Sequence, residues 1–156
     1  MTIRAVDHVQ IAGLAASGTT DNAGTWNEDI DLDTFSAAPA GATGVVLRVV
    51  NTLSSARWAG VRTPGKTAAR MLIDTNASSS CYTVICEIGA GNTIDLYCEN
   101  ATDVKFYIVG YTGSVWTFED IDAAPTLATT SSVYATRTVA TAPSGAIVTL
   151  IGPANV

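Results

Sequence analysis

GVRTPGKTAAR, residues 60–70, is the stretch on which the fold turns. Its first eight residues satisfy G-x-x-x-x-G-K-[ST], the phosphate-cradling loop of nucleotide-hydrolysing enzymes. A working loop of that kind needs a buried apolar strand before it and a helix after it, because loop amides and the helix N-terminus hold the phosphates. Here LSSARWA precedes, with two serines and an arginine where a central strand would be apolar. Pro64 removes an amide donor just before Gly65. The possible helix TAARMLID is cut short by Asn76 and a serine run. No alternating β-α units follow, so no parallel sheet can place a magnesium-binding Asp opposite. The stretch reads instead as a hairpin: strand RWAGVR, turn TPGK, strand AARMLID.

Outward from it, period-two alternation continues. Val45, Leu47 and Val49 share one face of GVVLRVVNT, and Val46, Arg48 and Val50 the other. Tyr82, Val84, Cys86 and Ile88 form one apolar face of CYTVICEIG. Ile94, Leu96 and Cys98 are expected to point inward, with Asp95, Tyr97 and Glu99 outward. Val104, Phe106 and Ile108 alternate with Lys105, Tyr107 and Val109. One buried face per strand produces this pattern. GAGN (89–92) reads as a hairpin loop and ENATD (99–103) as the next turn. Further strands are expected at 6–11, 26–32, 57–62, 70–74, 114–120, 133–139 and 147–151. The sequence therefore predicts an all-β fold, a single antiparallel β-sandwich that is jelly-roll-like.

The chain has 156 residues, a length that suits one domain. Within it, 1–25 is expected to form an N-terminal arm or strand, 26–121 the sandwich core, and 122–156 C-terminal strands. An internal echo pairs WNEDID at Trp26 with WTFEDID at Trp116, each followed by A-P-[AS]-G. Low complexity or a partial repeat would produce it. If it is a repeat, the second copy is too short to bury its own face, and must complete the first sandwich or be exchanged with a neighbouring chain.

Only 14% of residues are charged, against roughly 25% in an average soluble domain. A surface so poor in charge suits contact with other protein. The net charge of −6 argues against sequence-independent nucleic-acid binding. MTIRAVDHVQ lacks the apolar run of a signal peptide, and no apolar stretch approaches the roughly 20 residues of a membrane helix. No membrane association is expected. Cys81, Cys86 and Cys98 are an odd set on strand-like segments, so buried, reduced thiols and assembly in a reducing cytoplasm are expected.

Glu28, Asp29, Asp31 and Asp33 crowd the run NEDIDLD. The three aspartates could offer oxygens to Ca²⁺, but Thr34 and Ala40 stand where such a loop needs Gly and Glu. On a strand they share an exposed face, with Ile30 and Leu32 pointing inward. An acidic edge, solvated or facing a partner, is the expectation. Arg57, Arg62, Lys66 and Arg70 are four of the eight cations, within fourteen residues. This basic patch either pairs locally or matches NEDIDLD or FEDID on a neighbouring subunit. Together these eight residues form the expected interface. His8 is the single histidine, no G-x-S-x-G elbow occurs, and zinc would lack its His and Cys spacing. No catalytic residues, metal or cofactor are expected. Trp26, Trp58 and Trp116, with Tyr97, Tyr107 and Tyr111, would serve either as core and interface or as a sugar-stacking platform.

RWAGVR, the glycine turn, Arg70, then IDLYCEN and FYIVGYT resemble a β-sandwich module of phage virion and bacterial surface proteins. In that module a GVR hairpin is followed by strands ending in F-Y-[LI]-V-G-Y. The match spans about residues 44–113. The resemblance implies a sandwich in a particle or surface context and brings no catalytic residues. The expectation is a virion structural protein, specifically a phage capsid decoration protein assembled in the host cytoplasm. Its partners would be copies of itself, as a trimer in the preferred arrangement, and the major capsid protein. A carbohydrate-binding or adhesin module and a tail-tube or baseplate component are the alternatives.

Overall fold

The computed structural model describes residues 3–18, 24–75 and 80–118, with the backbone alone at residues 72–74. Eight strands form: β1 (Ile3–Ile11), β2 (Asn27–Asp31), β3 (Gly44–Asn51), β4 (Arg57–Arg62), β5 (Met71–Thr75), β6 (Cys81–Glu87), β7 (Thr93–Cys98) and β8 (Val104–Thr112). A single turn of 3-10 helix, Leu32–Thr34, is the one helical element among the described residues.

Two antiparallel four-stranded sheets face each other, ordered β1-β8-β3-β6 and β2-β7-β4-β5. This is the strand order of a jelly roll. Its logic starts at residues 63–66. Thr63-Pro64-Gly65-Lys66 is a tight turn closed by the Lys66 N–H on the Thr63 carbonyl at 3.1 Å. Proline presets the second turn position, and Gly65 takes φ +76°, which suits a type II turn. The nucleotide-loop pattern is thus spent on a turn whose Lys66 amide is already bonded, and strand β5, not a helix, follows. Around this turn the pairs nest: β4 with β5, β3 with β6, β2 with β7, β1 with β8. One long folded ribbon has been rolled into two layers.

Alternation supplies the core. Val45, Leu47, Val49, Ala59, Val61, Ile94, Leu96, Phe106 and Ile108 are all fully buried between the sheets. Tyr111 closes one end, its hydroxyl donating to the Ser36 carbonyl.

Several expectations need correction. Asp95 and Tyr97, read as facing outward, are only 2% and 0% exposed. They do lie on the outer face of their sheet, but the crossing from β1 to β2 covers it. Ser17 donates its N–H to the Cys98 carbonyl at 2.7 Å, and Gly24 donates its N–H to the Tyr97 hydroxyl at 3.2 Å. Cys81 is exposed, while Cys86 and Cys98 are buried, and all three are free thiols. The strand expected at 114–120 does not form over 114–118; Trp116 donates its N–H to the Gly113 carbonyl and turns the chain instead. The strands expected at 133–139 and 147–151 lie outside the described residues. So does the FEDID run from Glu119 onward.

Candidate functional site

Three of the four basic residues singled out in the sequence, Arg57, Arg62 and Arg70, are drawn into ion pairs within the chain. Arg62 alternates outward on β4, beside β7, where Arg62 and Asp95 are register partners. Its Nε donates to Asp95 at 2.8 Å, and one terminal nitrogen reaches Glu28 at 2.8 Å. The guanidinium lies 4.4 Å from the centroid of the Trp26 ring, which packs edge-on against Tyr97 at 5.5 Å. At the other end of β4, Arg57 contacts Asp103 at 3.0 Å and Glu99 at 3.4 Å. Arg70 faces Glu87 at 3.8 Å and lies over the Phe118 ring at 5.5 Å. Lys66 sits in the β4–β5 turn. Of the opposite charges expected to meet, Glu28 and Arg62 do so inside one chain.

The aspartates of NEDIDLD are all exposed, with Leu32 buried and Ile30 half-buried, as alternation requires. The strand itself departs from regularity. Asp29 takes φ +52° in a bulge between Asn27 and Ile30, and its N–H donates to Asp95. Beyond Asp31 the chain tightens into the 3-10 turn, capped by the Asp31 carboxylate on the Asp33 N–H at 2.9 Å. Asp33 accepts from the Ala38 N–H at 2.7 Å and the Asn92 side chain at 2.9 Å. These two bonds stabilise its charged form and lower its pKa. The acids therefore organise their own loop, and no group of three or more His, Cys, Asp or Glu side chains among the described residues converges on a metal position.

The aromatic residues separate too. Tyr97 and Tyr111 are buried, and no ring contact joins Trp26, Trp58 and Trp116 among the described residues. Trp116 stacks on Phe118 at 6.4 Å.

A second polar region, which sequence reading did not single out, lies on the outer face of the β1-β8-β3-β6 sheet. The register places Gln10, Tyr107, Arg48 and Thr83 side by side across all four strands. The sequence did carry a signal for it: Arg48 interrupts the apolar run of β3 at an outward position. A shallow depression of about 340 Å³ is lined by His8, Arg48, Val50 and Tyr107. The His8 and Tyr107 rings lie 6.4 Å apart, tilted by 42°. A larger hollow of about 520 Å³ lies at the β1 edge, lined by Ala5, Val6, Asp7, Val9 and Ser36, with Asp7 its only ionisable side chain among the described residues.

Compared with known protein families, curated proteins and solved structures, the chain matches none of them.

Proposed function

We propose that this chain is a virion structural protein that decorates and cements a bacteriophage capsid. The observation that carries the reading is the strand order itself. Eight strands in jelly-roll order form an architecture that viral shells use repeatedly, and it turns a short chain into a rigid slab. Low charge supports it, because low-charge surface is inexpensive to desolvate at a subunit contact. The internal pairing of Arg57, Arg62 and Arg70 supports a mechanical role, the first two tying the ends of β4 to neighbouring segments and Arg70 tying the start of β5 to β6. In this reading the protein assembles with copies of itself, as a trimer, and with the major capsid protein. Contacts of about 1,600 Å² each, repeated over a shell, would resist internal pressure without chemistry.

The test is reconstitution with capsids of the virus that encodes the chain. The purified protein should cosediment with shells at a fixed ratio and raise their disruption temperature. Protein that stays in the supernatant and leaves shell stability unchanged would refute the cementing role.

A further inference from the structure

We propose that the outer face of the β1-β8-β3-β6 sheet binds carboxylate-bearing sugars, with Arg48 as the anion-recognising residue and Tyr107 as the platform. This inference does not depend on the capsid reading. Arg48 differs from three other arginines of the sandwich, the remaining described one being Arg4 on β1. Arg57, Arg62 and Arg70 each face carboxylates. Arg48 has none within ion-pair distance among the described residues. Its one hydrogen bond there runs from Nε to the Cys81 sulfur at 2.9 Å. That contact leaves both terminal nitrogens available on an exposed side chain, and their parallel N–H groups match the two oxygens of a carboxylate.

The neighbours supply what a sugar ring needs. Tyr107 and His8 offer aromatic surface beside the guanidinium, and Val50 lines the same depression. Gln10 and Thr83, at the two ends of the row, are exposed and can each donate to and accept from hydroxyls. Four strands at their usual spacing spread this row over about 14 Å, the scale of a short oligosaccharide. The chemistry favours a sparsely charged glycan over other anions. Lys105 shares this face beside Val50, but its ammonium donates to the Ala101 carbonyl, and one guanidinium among hydrogen-bonding groups suits one carboxylate among hydroxyls. A nucleic acid or a strongly acidic peptide would call for several clustered cations, on a chain whose net charge is −6.

The experiment titrates the full chain by calorimetry and amide NMR with trigalacturonate, sialyllactose and a hyaluronan tetrasaccharide. Trigalacturonate methyl ester and poly-glutamate serve as comparisons. At least one acidic sugar should bind, with shifts confined to β1, β3, β6 and β8, and the ester should bind about tenfold more weakly or worse. Arg48→Gln and Tyr107→Ala should each weaken binding by about tenfold while leaving the thermal midpoint near its original value. The proposal fails if none of the acidic sugars binds at millimolar concentration, or if ester and acid bind alike. It also fails if Arg48→Gln binds normally, or if poly-glutamate binds as tightly as the sugars.

Discussion

Asp95 shows how burial changes the meaning of a charge. Its carboxylate is almost fully enclosed, held by Arg62 and by the Asp29 N–H. Arg62→Met would keep the apolar stem but leave that carboxylate without its counter-ion, a change that costs about 3 kcal/mol when an enclosed pair is broken. Chemical denaturation should show this loss. The thiols differ in the same way. Burial pushes Cys86 up to about 12 and Cys98 up to about 11, from an ordinary value of 9.0. Folding therefore favours their protonated forms. That contribution is intact below pH 9 and is lost as pH rises through the folded values. In native protein at neutral pH, a disulfide reagent should titrate the exposed Cys81 alone, and all three thiols after unfolding. Asp33 has the opposite sign. Its lowered pKa contributes stability above the usual carboxylate range that disappears as pH falls through the folded value. Asp33→Asn should flatten the acid limb of a plot of thermal midpoint against pH.

At the scale of the element, β3 shows why one position must be glycine. A methyl group at Gly44 would sit 2.8 Å from the Cys86 carbonyl oxygen, 2.8 Å from Thr112 Oγ1 and 2.5 Å from the Phe118 ring. The carbonyl belongs to the paired strand β6 and cannot rotate away. Gly44→Ala should therefore destabilise by about 2 kcal/mol, the range for overpacked sites, measured as a lower denaturant midpoint. The β7 turn illustrates element-level cooperation. Gly91 and Asn92 both take positive φ, and Asn92 then reaches across to Asp33 while its carbonyl accepts the Leu32 N–H. The hairpin loop and the 3-10 turn after β2 thus brace one another at one end of the sandwich.

At the scale of the molecule, the described strands form a ribbon folded about residues 63–66 and then rolled, so that β1 pairs with β8, far along the chain. Closing such distant pairs costs chain entropy before any burial offsets it, so refolding should take milliseconds to seconds. Stopped-flow tryptophan fluorescence measures this, and a microsecond phase carrying the full amplitude would contradict the nested topology. Rolling also sets the two outer faces apart in character. One is covered by the β1–β2 crossing and crossed by Arg62 ion pairs. The other carries the open row from Gln10 to Thr83.

The sequence by itself determined the all-β class, the hairpin at residues 60–70 and the inward set on β3, β6 and β8. Those depend on local alternation and turn chemistry, which are written in neighbouring residues: Pro64-Gly65 makes a turn wherever it lies. Tertiary structure alone decided what covers the outward set. Nothing near Tyr97 in the chain announces that Gly24 and Ser17 will lie over its strand, and nothing near Arg62 names Asp95 as its partner. The same holds for Gln10, Tyr107, Arg48 and Thr83, which are scattered from residue 10 to residue 107. Their alignment is a property of register between distant strands, and register is set by the packing of the whole sandwich rather than by any one segment.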